Sequence, residues 1–257
     1  MRVTSNLPEP EQAPATRKRG GRPSAEHAGE VDRRILDAAT TLFLRAGFDA
    51  TSCDQVVAMA GAGKATLYAR YANKDALFSA VVHRALERAA PPAPDLPPAM
   101  AVRDRLHAVG LHLLKQALTE ESVALLRVSL TTAPRLPELS RLVDQTGRDG
   151  GIACVVDALA GAAPSADQTA AATAIAQRFI DLVVVPQQMR ALVGDDREQL
   201  DDAAPRRVDE AIDLLARGGL LDAFERVAQA GTSRGGGGGA GPRATGVPPV
   251  FLFFTSV

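Results

Sequence analysis

Cysteine, aromatic side chains and net charge are all scarce in this chain of 257 residues, and each scarcity excludes something. The two cysteines, Cys53 and Cys154, lie far apart in apolar contexts. They form neither a disulfide framework nor a metal-ligand spacing, and read as buried thiols of a protein from a reducing compartment. Aromatics make up only 4% of the residues, strand-type alternation is rare, and alanine, leucine, valine and arginine dominate. An all-α fold is the expectation. The net charge is −1, so no global field announces a polyanionic partner. The first thirty residues hold no apolar run, which argues against a secretory signal. No run of ~20 apolar residues is evident to span a bilayer, and a cytoplasmic location follows as an expectation. The length suffices for one large domain or two small ones with a sizeable core.

What is present is unevenly placed. Residues 17–75 hold 10 Lys and Arg against 7 Asp and Glu, while residues 76–230 hold 16 against 21. A basic head on an acidic body is the asymmetry expected if the head alone meets phosphate. Residues 1–29 lack periodicity and read as a disordered arm carrying Arg17, Lys18, Arg19 and Arg22 around glycines and a proline. Such an arm suits contact with phosphates or a minor groove. Val31, Ile35, Ala38, Ala39, Leu42 and Phe43 form the stripe of a first helix over 29–46, closed by Gly47. A capping box in one of two overlapping registers, Thr51 to Asp54 or Ser52 to Gln55, opens a second helix that ends at Ala60. A third is expected over 64–71, and a fourth over 74–90 behind an Asn73 cap. The prolines between 91 and 98 form a stiff joint.

Beyond the joint the pattern stays helical. Fifth and sixth helices are expected around 102–118 and 123–130. A seventh over 137–160 should be broken or softened at Gly147 and Gly150-Gly151, and an eighth over 165–192 kinked at Pro186. A ninth is expected over 205–216, with a short closing piece near 220–230. From residue 231 the chain turns glycine-rich and reads as disordered low complexity. The organisation is therefore arm 1–29, head 30–90, body 98–230 and tail 231–257.

Two short helices around the turn Gly61-Ala62-Gly63 are helix-turn-helix grammar, whose second helix is shaped for a DNA major groove. Both tyrosines of the chain, Tyr68 and Tyr71, sit there, and three of its four lysines lie in or beside the region. Lys64 is placed to reach guanine acceptors or a phosphate, Ala65 a thymine methyl, and Thr66 and Tyr68 base or backbone. Tyr71 is expected on the sugar-phosphate chain, with Thr51 and Lys74 holding adjoining phosphates from the starts of their helices.

The run Ile35-Leu-Asp-Ala-Ala39, Leu42-Phe43, Ala46-Gly-Phe48, Ala50-Thr-Ser52, Val56, Ala60-Gly61, Lys64, Thr66-Leu-Tyr68, Tyr71 and Asn73-Lys-Asp-Ala-Leu-Phe78 resembles the tetracycline-repressor (TetR/AcrR-type) family of bacterial regulators. More loosely, Leu125-Leu-Arg-Val128, Ala133-Pro-Arg-Leu-Pro-Glu-Leu139 and 179–186 resemble the family's AefR-like C-terminal domain. Gly63 and Ala65 depart from the small hydroxylated residue and the glycine common there. The resemblance implies an all-helical homodimer. A three-helix helix-turn-helix domain would read a palindromic operator in double-stranded DNA, and a C-terminal domain would dimerise through its last two long helices and enclose a ligand cavity. On this footing His112, Leu126, Phe179 and Met189 are candidate wall residues for a small apolar effector, and no cofactor or metal is expected.

Catalysis finds no support. Gly63-Lys64 lacks the Ser or Thr that a phosphate loop needs next, and Ala58 stands where that motif needs glycine. His107 and His112 fall about 140° apart on a helix and cannot share a metal. The expectation is a repressor relieved by an apolar ligand. A regulator without small-molecule effector, activating or controlled by a protein, is the alternative, with a helical enzyme behind it.

Overall fold

The computed structural model describes residues 25–88, 94, 96–97, 100–160 and 164–226, which are all-helical in their regular structure. In order they form α1 (Ala25–Ala46), α2 (Cys53–Ala60), α3 (Lys64–Tyr68), α4 (Lys74–Arg88), α5 (Val102–Ala117), α6 (Glu120–Thr132), α7 (Pro137–Ala160), α8 (Ala166–Val193) and α9 (Arg197–Arg217). The basic arm with Arg17, Arg19 and Arg22, and the tail from 231, lie outside the described residues.

Local signals account for most boundaries. Ser52 Oγ accepts from Gln55 N at 3.2 Å while Gln55 Oε1 accepts from Ser52 N at 2.8 Å, so the second of the two capping registers opens α2. Gly61 closes that helix at φ +59°, a left-handed conformation in which other residues are strained. Asn73 Oδ1 accepts from Ala76 N at 2.8 Å and opens α4 as expected.

Four expectations need correction. The third helix ends at Tyr68, three residues early. α7 runs unbroken through Gly147, Gly150 and Gly151. The ninth helix begins at Arg197, because Asp196 caps it, and Pro205 lies inside it with its ring exposed. Finally, α8 has the length, and over an 18-residue window the mean hydropathy of 1.3, to cross a bilayer. The apolar positions are dispersed among polar ones, which hid this, and a core helix of a bundle meets the same criterion; 39% of that window is buried.

Burial divides into two cores joined by one helix. Ile35, Phe43, Phe48, Val56, Leu67, Leu77, Phe78 and Val81 fill the first, together with Leu125 and Val128 of α6 and Val143 of α7. Leu106, Val155, Leu159, Phe179, Val183, Val208 and Ile212 belong to the second. α7 has 24 residues and so spans roughly 36 Å, with Val143 in one core and Val155, Ala158 and Leu159 in the other. The head's core therefore extends across the proline joint into the body.

Gly110 and Gly151 let helices approach closely. A Cβ on Gly110 would stand 2.7 Å from Val208 Cγ1 and 3.0 Å from Phe179 Cζ; one on Gly151 would meet Ile180 Cδ1 at 2.9 Å. Gly110→Ala should destabilise by about 1–3 kcal/mol, because β-branched Val208 cannot swing aside. Gly151→Ala should cost less, since it meets the far end of Ile180 and gains up to ~1 kcal/mol of helix propensity. Urea melts of both variants measure the order.

Candidate nucleic-acid interface

α2, the turn and α3 present one continuous outer face. Leu67 is 0% exposed and pins α3 to the first core. That burial turns Lys64, Ala65 and Tyr68 outward, with Thr66 half-buried. Tyr68 is 49% exposed, and the Lys64 side chain 60%. From α2 the same face adds Ser52, Asp54, Gln55 and Ala58, all exposed.

The electrostatics here are local. Lys64 Nζ lies 2.8 Å from Asp54 Oδ1, and this carboxylate holds the ammonium above the usual lysine range. The Tyr68 phenol is also raised, chiefly by the neighbouring Cys53 thiol, with Asp54 adding to the effect and Lys64 opposing it. Asp54 escapes a motif scan. It stands ten positions before Lys64, and only the turn between the helices brings the two together.

Three residues expected on DNA are engaged inside the domain instead. Thr51 is 2% exposed, and its Oγ1 donates to Gly47 O at 2.8 Å, closing the corner after α1. Lys74 Nζ donates to Phe48 O at 2.8 Å and Thr51 O at 3.0 Å and sits 4.3 Å above the Phe48 ring centroid. The ammonium adds a second donor to the Phe48 carbonyl, which also accepts from Thr51 N at 3.3 Å, and caps the Thr51 carbonyl. The Tyr71 hydroxyl donates to Asp32 Oδ1 at 2.9 Å, beside Arg70 Nε at 3.2 Å from the same oxygen. Tyr71 thus ties the end of the α3 region back to α1.

The expected effector wall is not gathered either. Phe179 is 0% exposed in the second core, packed where a Gly110 side chain would stand. Met189 is 55% exposed and faces outward. His112 and Leu126 are half-buried on α5 and α6. A groove of about 450 Å³ opens elsewhere, between α4 and the start of α7, and includes none of the four. Asp75, His83, Arg135, Leu136, Leu139 and Leu142 are among its walls.

Comparison with known proteins agrees with this geometry. Residues 35–81 match the model of bacterial regulatory proteins of the tetR family, and residues 104–218 match the C-terminal domain of AefR-like transcriptional repressors. The chain belongs to the tetR family. Both matched domains are those of bacterial transcriptional regulators. The HTH-type transcriptional repressor ComR of Escherichia coli (strain K12) is 45% identical over 53 residues, covering 21% of this chain and 25% of its own. The HTH-type transcriptional regulator YhgD of Bacillus subtilis (strain 168) is 30% identical over 94 residues, 35% of this chain and 49% of its own. The chain thus matches about half, or less, of the length of these curated relatives. The solved structure of the flavonoid-responsive regulator FrrA is 25% identical at a TM-score of 0.53, covering 74% of this chain and 96% of that one.

Burial and the Asp32 contact push the Tyr71 phenol up to about 12. A raised folded-state value favours the neutral phenol, so its contribution is full below the unfolded value near 10 and is lost as pH rises towards about 12. Tyr71→Phe should lower stability by about 0.5–1.5 kcal/mol at neutral pH. It should also remove the later of the two phenol titrations followed by ultraviolet absorbance.

Proposed function

We propose that this chain is a repressor that binds a palindromic operator as a homodimer, inserting α3 into the major groove of each half-site. The observation carrying this reading is the division of α3, with Leu67 locked into the core and Lys64, Ala65 and Tyr68 projecting. Repression is supported by the AefR-like match and by the repressor ComR. Such a regulator acts in the cytoplasm, where the chromosome is.

A second copy has a surface to meet. Leu182, Val185, Met189 and Val193 follow one another at spacings of three and four along α8, exposed on one side of the helix. Leu214 of α9 is exposed as well. An apolar stripe of this kind suits the self-complementary interface of a two-fold dimer.

Relief by a small apolar ligand completes the reading. FrrA is a flavonoid-responsive regulator, and the groove between α4 and α7 falls within the ~300–1,000 Å³ typical of ligand sites. Its wall contains Arg135, which follows α6 and pairs with Asp75 of α4 at 3.0 Å. A ligand favouring a different α4–α7 spacing would alter the separation of the two α3 helices. Coupling of 1–3 kcal/mol would change operator affinity about 5- to 150-fold.

Sequencing the duplexes that the protein selects from a random pool tests the DNA reading. A palindromic consensus with half-sites about one helical turn apart, or a multiple of it, is expected, and recovery without preference overturns the proposal. On the recovered duplex, Lys64→Ala should weaken binding and reduce the salt slope by about one per engaged protomer. Leu182→Asp combined with Met189→Asp should give a monomer by analytical ultracentrifugation, with operator affinity falling while the helical signal persists.

A further inference from the structure

Asp54 is the one acid that α2 and α3 carry, and it stands on the face that would meet DNA. Its side chain is 63% exposed, and its Oδ1 accepts from Lys64 Nζ at 2.8 Å across the helix-turn-helix. Such a carboxylate works against generic DNA binding in two ways. It competes with phosphate for the lysine ammonium, which lessens the counterion release that drives non-specific binding. It is also itself repelled by the phosphate backbone and loses hydration there without a donor in return. A donor is available only at particular base pairs, where an exocyclic amino group, above all cytosine N4, offers a proton to a carboxylate in the major groove. At such a pair the carboxylate is satisfied and Lys64 is released to a phosphate or a guanine edge. Elsewhere both groups lose.

We infer that Asp54 is a specificity-determining residue: paired with Lys64 in the free protein, it penalises binding to arbitrary duplexes and accepts a hydrogen bond from a base amino group, cytosine N4 foremost, at the cognate half-site. The inference deepens the DNA-reading proposal and rests on it. Position supports it further, since Ser52 and Gln55, which flank Cys53-Asp54, are taken up by the reciprocal cap of α2. Asp54 makes no bond in that cap. Its partner is a recognition-helix side chain across the turn, so the carboxylate and the ammonium stand together on the outer face.

The test compares the full chain with Asp54→Asn, which keeps shape and removes charge, and with Asp54→Ser, which the first turn of a helix also tolerates. Each protein is put through random-pool selection. Affinities are then measured on the wild-type consensus duplex and on a scrambled duplex of equal length, across a salt series. Both variants should bind the scrambled duplex more tightly, with a salt slope steeper by about one per engaged protomer. Discrimination between consensus and scrambled duplex should fall by about 5- to 150-fold. Selection should lose its preference at one base pair per half-site while the other positions persist. If both affinities shift by the same factor, or the selected sequence is unchanged at every position, Asp54 has no part in specificity and the inference is overturned. If the wild-type chain selects no sequence at all, the DNA-reading proposal fails and this one with it. A wild-type consensus that the variants share sinks this inference alone.

Discussion

The corner between α1 and α2 is the constraint on which the DNA-facing surface depends. After Gly47 the chain turns into α2 within five residues, where the Phe48 carbonyl, which accepts from Thr51 N at 3.3 Å, and the Thr51 carbonyl have room for further donors. Lys74 supplies them, while its ammonium lies over the Phe48 ring. Beneath, the Phe48 ring stacks with Phe43 at 5.8 Å and meets Phe78 edge-on at 5.2 Å between centroids. Such aromatic pairs contribute about 0.5–1.5 kcal/mol each beyond their burial. Because Lys74 opens α4 and Phe48 precedes α2, one side chain fixes the angle between the reading helices and the helix leading to the body. A cation in that role is committed to structure, and phosphate contact falls to others.

The same corner is touched from the far side of the proline joint. Arg135, in the turn between α6 and α7, lies 5.3 Å from the Phe48 ring centroid and pairs with Asp75. Leu125, Val128 and Val143 continue the first core into the body, and α7 carries that continuity on into the second. Packed interiors deform in steps more readily than by smooth flow. A change in how α7 sits on α8 would therefore reach the corner as a displacement of a whole helix. The close approaches at Gly110 and Gly151 make the second core a poor absorber of such a shift.

What the sequence made legible was whatever is encoded over one or two turns of chain. The stripe of α1, the caps at Ser52 and Asn73, the left-handed glycine after α2 and the anchor Leu67 all follow from spacing and residue type alone. Illegible were the partners that folding brings from a distance. Lys74 and Tyr71 read as free polar groups beside a recognition helix, and nothing nearby in sequence warned that Phe48, Thr51 and Asp32 would take them. Of the two capping registers left open, Ser52 to Gln55 is the one formed, and the Thr51 hydroxyl turns inward to Gly47 O. At Gly151 and Gly110 the sequence showed permissive residues, whereas the tertiary contacts with Ile180, Phe179 and Val208 make them sites of close packing. Pro205 read as a helix start, and proline does favour first turns; Asp196, nine residues earlier, is the stronger cap.

The near-neutral charge of the chain acquires a physical sense in this setting. Four cations of the head are tied within it: Arg70 to Asp32, Arg84 to Asp37, Lys74 to backbone carbonyls, and Lys64 to Asp54. Each pair lowers the potential that a passing duplex would feel, and the acidic body lowers it further. On the proposed reading such pairs would reduce non-specific affinity, which comes almost wholly from phosphate neutralisation. Where shape and base edges let Lys64 exchange its partner, the reading face would gain a cation. A regulator must find one site among very many, so the ratio of specific to non-specific binding matters more than either alone. Suppressing the denominator with a few internal ion pairs reaches that ratio without a strongly basic head.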